Sequence, residues 1–272
     1  MAGGDLDPAQ AAGGPGRRDR GAGRLMLFVQ AVQWILDPAN WASVNFGPGI
    51  LDALGAHLLL TGLSVLVVAL VALPIGLYIG HTGRGTRYAV VVANVVRAFP
   101  TLGLLALLFI AFTLGIGPAV FVFVLLGVPP LLAGAYSGLA AVDRQTIDAA
   151  RAMGFTEWQI LLRVELPLAA PLILGGLRST VLQIIASVTL VSQVGLVSLG
   201  LFIIGGQASR DYVQVVAGSI LVTVLALLVD GILAVVERAA APRGVSRGAE
   251  RTTARSRRSR VAPTRAPAPE GN

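Results

Sequence analysis

Long apolar runs alternate with short basic connections along most of this chain. Five runs carry almost no charge, and each is 19 to 25 residues long: residues 58–80, 88–112, 119–137, 168–192 and 212–236. A helix needs about 20 apolar residues to cross the roughly 30 Å hydrocarbon core of a bilayer. The pattern therefore predicts an all-α, polytopic membrane bundle with five core transmembrane helices. The second run contains Arg97 and Pro100, and the proline predicts a kink in that helix.

The two ends of the chain differ from this core. Residues 1–24 are mostly Gly, Ala, Pro and Arg, and residues 238–272 contain nine arginines among small and polar residues, so we expect both tails to be disordered. Between the first tail and the core, the apolar stretch 25–36 would cover only about 18 Å as a helix. Segment 25–50 is therefore predicted to lie in the membrane interface or to form a short span. Residues 51–237 form the predicted transmembrane domain.

Basic residues indicate the orientation of the bundle. Arg84 and Arg87 follow the first run, a polar segment at 142–167 separates the third and fourth runs, and the arginine tail follows the fifth. Because positive residues are retained on the cytoplasmic side, five crossings place all three regions there. The arginines among residues 17–24 would then lie outside, unless the stretch 25–36 makes an extra crossing.

Composition supports the membrane assignment and excludes several functions. Apolar residues make up 55% of the chain and charged residues only 13%, about half the usual share of a soluble domain. The net charge of +7 lies at the ends and in short connections, which argues against nucleic-acid binding. The absence of cysteine excludes disulfides and thiolate metal sites. We therefore predict no metal, no cofactor and no catalytic residues.

The polar segment at 142–167, here called the polar hairpin, is larger than a simple connection requires. Asp143 is placed to cap a first helix, and Gly154 to end it in the left-handed conformation. Thr156 and Gln159 have the spacing of a capping box for a second helix, which Pro167 joins to the fourth span. A capped, rigid hairpin on the cytoplasmic face is predicted to be a docking surface for another protein.

A motif within the polar hairpin resembles the signature of ABC importer permeases. Asp148-Ala149-Ala150 is followed after three residues by Gly154, and then at the family's spacing by Val164 and Leu166-Pro167. Asp148 and Val164 are conservative departures from the family's Glu and Ile. The resemblance covers about residues 50 to 237. The run from Ile147 to Arg178 resembles permeases for glycine betaine, carnitine, choline and related osmoprotectants.

The resemblance implies a fold and a set of partners. It implies a type I importer in the bacterial inner membrane, with a cytoplasmic ATP-binding subunit, an extracytoplasmic substrate-binding protein and a second permease copy or paralogue. The chain has no lysine and therefore no Gly-Lys phosphate loop, so ATP hydrolysis is expected in the partner subunit and not here. Expected contacts with the ATPase are Ile147, Asp148, Ala149, Ala150, Met153, Gly154, Phe155, Leu166 and Pro167.

A second group of residues is expected near the translocation path or its gate: Arg97, Pro100, Arg178, Gln193, Gly195 and Gly200. Arginines inside a membrane segment normally face a partner or water, and Arg178 is predicted to pair with Asp230. The alternative is that the arginines extend to the interface. The expected cargo is an osmoprotectant. Another cargo such as methionine, or an ion-driven carrier or channel, remains open as the alternative.

Overall fold

The computed structural model describes residues 17–43, 47–112 and 115–240, and the regular elements in these ranges are helices. This confirms the all-α prediction. Most of the first predicted tail, residues 1–16, and nearly all of the second, residues 241–272, lie outside the described residues. The α-helices are α1 (Arg17–Leu36), α2 (Ile50–Thr82), α3 (Thr86–Ala98), α4 (Thr101–Phe112), α5 (Ile116–Ala140), α6 (Arg144–Ala152), α7 (Glu157–Ile160), α8 (Leu166–Val188), α9 (Gly200–Ser209) and α10 (Tyr212–Ala240).

Helices α2 and α5 pack side by side and run in the same direction. A Cβ placed on Gly76 would lie 2.5 Å from the Cβ of Ala135, and one on Gly80 would lie 2.7 Å from the Cβ of Leu139. Four residues farther along α2, the contact is four residues farther along α5, so the two helices run in the same direction. Small residues at these positions let the two backbones approach closely.

Helix α8 packs against the same two helices in the opposite direction. Gly134 of α5 faces Gly176, and Gly138 of α5 faces Ala169, so α8 is antiparallel to α5. Apolar side chains of α2, α4, α5 and α8 form the largest buried cluster, and α10 packs on the outer side of α8. Only Ala217 and Gly218 of α10 are buried, as expected for a helix that faces lipid or another subunit.

The second predicted span is broken more sharply than a proline kink. Helix α3 ends at Ala98, α4 begins at Thr101, and the two axes differ by 80°. Phe99 between them is extended, because the residue before a proline is disfavoured in the helical region. Since α2 and α5 are parallel, the α3–α4 pair must carry the chain back along the bundle. With the four long apolar helices it makes five crossings.

Helix α1 begins at Arg17, so the end of the segment predicted to be disordered is helical. The helix packs against α10, and its Ala31 is completely buried. Near its C-terminal end, the ring of Trp34 meets Phe202 of α9 edge to face, with centroids 5.4 Å apart. This contact lies near the start of α2, at the end of the bundle opposite the polar hairpin.

Candidate functional site

The first arm of the polar hairpin is a nine-residue helix with both ends satisfied. The Asp143 side chain accepts a hydrogen bond from the Gln145 backbone N–H at 3.1 Å. At the other end, Gly154 adopts φ +84°, and the N–H of Phe155 donates to the carbonyl of Ala150 at 3.2 Å. These are the predicted N-cap and the predicted glycine stop, and together they fix where the helix begins and ends.

The second arm runs into the fourth span without a break. Thr156 and Gln159 form the predicted capping box, with bonds of 2.9 and 3.4 Å in the two directions. Helix α7 then continues through a π-helical segment (Leu161–Glu165) directly into α8. The wide turn accommodates Pro167, which lacks an N–H and disfavours ordinary helix in the preceding turn. The predicted junction at Pro167 is therefore continuous helix.

The motif residues divide into an exposed and a buried set. Asp148, Ala149, Gly154 and Pro167 are exposed, and Met153 is 70% exposed although the helical pattern places it on the apolar face. Ala150 is buried, while Ile147, Phe155 and Leu166 are half-buried. An exposed methionine beside a glycine turn presents an adaptable apolar surface.

Charged residues connect the two arms of the hairpin. The Arg151 guanidinium donates to both carboxylate oxygens of Glu157, at 2.8 and 3.1 Å, and to Asp148 at 3.3 Å. These hydrogen bonds, first of all the one to Glu157, raise the pKa of Arg151 above its usual range. The bidentate contact holds α6 and α7 at a defined angle.

A second set of charges, which the sequence analysis did not identify, joins the hairpin to α2. His81, in the last turn of α2, has Nδ1 2.6 Å from Oε2 of Glu165 and Nε2 3.5 Å from Oε2 of Glu157. Glu165 is only 3% exposed. The sequence feature that could have indicated this contact is Glu165, a carboxylate next to Leu166-Pro167 at the point where the chain becomes apolar.

Arg178 lies deeper in the bundle and makes the predicted pair with Asp230. Its Nε and one terminal nitrogen donate to the two carboxylate oxygens of Asp230 at 2.5 and 2.7 Å. The other terminal nitrogen donates to Glu237 at 3.3 Å. All five N–H groups of a guanidinium point outward in one plane, so one arginine can bind two carboxylates from the same helix. These ion pairs join helix α8 to helix α10.

Comparison with known proteins identifies the family. Residues 72–241 match the family described as "Binding-protein-dependent transport system inner membrane component", which covers more than half of the chain and includes the polar hairpin. The chain belongs to this family. It is thus a membrane-spanning permease subunit of an ABC importer, a multi-pass protein of the bacterial inner membrane.

Curated relatives resemble the permease along most of their length. It is 32% identical over 197 residues to the carnitine transport permease protein OpuCD of Listeria monocytogenes, covering 72% of this chain and 88% of the relative. It is 31% identical over 201 residues to the glycine betaine/carnitine/choline transport system permease protein OpuCB of Bacillus subtilis, covering 73% and 92%. The choline transport system permease protein OpuBD of Bacillus subtilis is 32% identical over 197 residues, with 72% and 87% covered.

A solved transporter has the same fold. The inward-facing MetNI methionine ABC transporter contains a chain that superposes with a TM-score of 0.62 and 21% identity, covering 71% of the permease and 96% of that chain. At this identity the likeness establishes the helical architecture alone.

The remaining candidate residues of the permease lie at two breaks in its helices. Arg97 and Pro100 are exposed at the bend between α3 and α4. Gln193 and Gly195 are exposed in the 3-10 helix (Thr189–Val194) and the turn that ends it, and α4 packs against this 3-10 helix. Gly200 is buried against the backbone of Thr189. The segment between the fourth and fifth predicted spans contains helix α9 (Gly200–Ser209).

Proposed function

We propose that this permease imports an osmoprotectant of the quaternary ammonium class, such as glycine betaine, carnitine or choline. The observation that carries the proposal is its 31–32% identity to permeases named for these solutes over 87–92% of their length. Methionine, the alternative cargo, has weaker support, because the methionine transporter is 21% identical and matches in fold. Selection among cations of this kind usually depends on aromatic side chains, which we expect mainly in the partner binding protein.

The polar hairpin is proposed to dock on a cytoplasmic ATP-binding subunit. The exposed set of Asp148, Ala149, Met153 and Gly154 forms the contact, with half-buried Ile147 and Phe155 at its edge and Ala150 packed beneath. Leu166 and Pro167 lie where the second arm enters the span, so their contribution is to hold the hairpin's direction. ATP hydrolysis takes place in the partner, because this chain has no lysine for a phosphate loop.

Transport then follows from rigid coupling. Helix α7, the π-helical segment and α8 form one continuous stretch, so a displacement of the hairpin moves the fourth span directly. When ATP closes the ATPase dimer, the hairpins of two permease copies or paralogues would draw the bundle from inward-open to outward-open. A substrate-binding protein on the outer side would then deliver the solute.

The breaks in the helices are proposed to border the translocation path. Arg97 and Pro100 at the α3–α4 bend, and Gln193, Gly195 and Gly200 around the neighbouring 3-10 helix, are placed where two elements can change their angle. Arg178 is assigned a different role, since its guanidinium is engaged by two carboxylates of α10. It braces the hairpin-side half of the bundle.

Reconstitution tests this function. The permease is purified with the ATPase and binding protein encoded beside it, and uptake of radiolabelled glycine betaine, carnitine, choline and methionine into proteoliposomes is measured with and without internal ATP. We expect ATP-dependent uptake of at least one of the first three solutes and none of methionine. Methionine uptake alone would reject the cargo, and uptake driven by an ion gradient without ATP would reject the importer class.

A further inference from the structure

A continuous row of charged side chains runs from the exposed face of the polar hairpin to the end of the first span. Asp148 contacts Arg151, Arg151 contacts Glu157, and Glu157 and Glu165 both contact His81. Asp148 belongs to the surface proposed to meet the ATPase, and His81 belongs to α2. The row therefore joins the proposed docking surface to a helix that is separated from the hairpin by 59 residues of chain.

The imidazole of His81 lies between two carboxylates. Its Nδ1 is hydrogen-bonded to Glu165 at 2.6 Å. Its Nε2 lies 3.5 Å from Glu157, at the distance of an ion pair. Glu165 is almost completely buried, and a buried carboxylate is retained in a fold only with a partner. His81 is that partner.

The charged contacts of His81 lie beside apolar packing and open space. The imidazole lines two cavities, one of about 560 Å³ next to Trp158 and one of about 360 Å³ next to Ile147. Leu77, one turn before His81, and Leu161, between Glu157 and Glu165, belong to the apolar cluster that packs α2 against the second arm. At the hairpin end, the contacts of His81 are thus a polar bridge between two open spaces.

We propose that His81 is a positioning residue that ties the end of α2 to the polar hairpin, so that movement of the hairpin reaches the first span as well as the fourth. The inference rests on the proposed docking of the ATPase. Without this tie, the hairpin would still move α8, with which it is continuous, but α2 would follow only through apolar packing. Less solute would then be imported for each ATP hydrolysed.

The absence of native cysteines makes a reversible test practical. In the double variant His81→Cys/Glu165→Cys, the tie is removed together with the buried carboxylate, and a short bifunctional thiol reagent can replace it with a covalent link that a reductant reverses. The measured quantity is solute imported per ATP hydrolysed in proteoliposomes that contain the whole complex. We expect a fall of about tenfold without the link and recovery with it, within the range of coupling effects between protein sites.

Two further variants control the test. Arg144→Ala removes a charge from the same hairpin at an exposed residue that makes no ion pair within the described ranges, and we expect wild-type coupling. His81→Gln can still donate to Glu165 but cannot form the ion pair with Glu157, and we expect an intermediate ratio. It also remains informative if the cysteine pair does not assemble.

The outcomes separate this inference from the proposed function. If the complex assembles and imports, but neither the unlinked cysteine pair nor His81→Gln changes the import per ATP, His81 has no positioning role. Failure of the cross-link to restore a lost ratio would contradict it as well. If the unmodified permease neither retains an ATPase nor imports the solute, it is the proposed function that fails.

Discussion

At the scale of single residues, Gly154 has the most specific requirement in the polar hairpin. Its φ of +84° lies in the left-handed region, and a Cβ there would meet no atom within 4 Å. The constraint is therefore on the backbone and not on space. A residue with a side chain pays about 1–2 kcal/mol for this conformation, with Asn the best tolerated. The turn decides where Met153 and Phe155 point, so strain at this position changes the shape of the docking surface.

We predict that Gly154→Val lowers the amount of ATPase subunit that co-purifies with the permease about fivefold or more, as 1–2 kcal/mol implies. Gly154→Asn should retain most of it. Gly83, which ends α2 with φ +68° in equally open space, offers a matched control. Gly83→Val introduces the same kind of backbone strain outside the hairpin. It should leave the amount of co-purified ATPase subunit unchanged. Equal losses from the two valine variants would contradict a specific role for the Gly154 turn.

At the scale of elements, the bundle depends on close approach between helices. Gly134 and Gly176 face each other across α5 and α8, and a Cβ on Gly134 would lie 2.8 Å from the Cα of Gly176. The neighbouring atom is backbone, which cannot move aside as a flexible side chain can. Overpacking of this kind costs about 1–3 kcal/mol. Replacing a helical glycine with alanine gains only about 1 kcal/mol.

We therefore predict that Gly134→Ala lowers the thermal unfolding temperature of the permease in detergent. Gly62→Ala provides the control, because Gly62 is in the long α2 helix with open space around it. That change should leave the unfolding temperature unchanged or raise it. A Gly134→Ala variant as stable as Gly62→Ala would mean that α5 and α8 are too far apart for a Cβ on Gly134 to meet the backbone of Gly176.

The Arg178–Asp230 bridge can be tested as a pair. Both side chains are about one-third exposed, so the cost of breaking the pair is smaller than the several kcal/mol expected for a fully buried one. We predict that Arg178→Ala and Asp230→Ala each reduce transport, and that the double variant is no worse than the more damaging single one. Strictly additive losses in such a cycle would show that the two residues act independently. Arg178→Lys should be intermediate, because lysine keeps the charge but loses the bidentate geometry.

At the scale of the whole molecule, the polar hairpin and helix α9 lie at opposite ends of the bundle. The parallel packing of α2 with α5 and the antiparallel packing of α8 require this arrangement. Basic residues place the hairpin end in the cytoplasm. The proposed coupling depends on this orientation, because an ATPase can reach only the cytoplasmic face.

We predict that a membrane-impermeant thiol reagent labels Gln207→Cys in intact spheroplasts and labels Gln145→Cys only after permeabilisation. Both glutamines are exposed, and the chain has no cysteine of its own, so each label reports a single position. Labelling of Gln145→Cys from outside would reverse the orientation. The ATPase could then not reach the hairpin, and the docking proposal would be wrong.

Several features of the site followed from local sequence rules. The Asp143 cap, the Gly154 stop and the Thr156–Gln159 box each depend on residues within five positions of one another, so their geometry is decided locally. The Arg178–Asp230 pair was predictable for a different reason, since a charge within a membrane segment needs a partner. The features that were not predicted depend on neighbours in space, as in the 80° break at Pro100 and helix α9.

The sequence by itself determined that the chain crosses a membrane and where the polar hairpin lies, and it predicts which end faces the cytoplasm. Each of these depends on the order of apolar, basic and capping residues, and lipid and local hydrogen bonds respond to that order directly. Only the tertiary structure decided that α2 and α5 run parallel, that Met153 is exposed, and that His81 meets Glu157 and Glu165. Those contacts join residues far apart in the chain, and they form because helices that share a small-residue interface settle at one register.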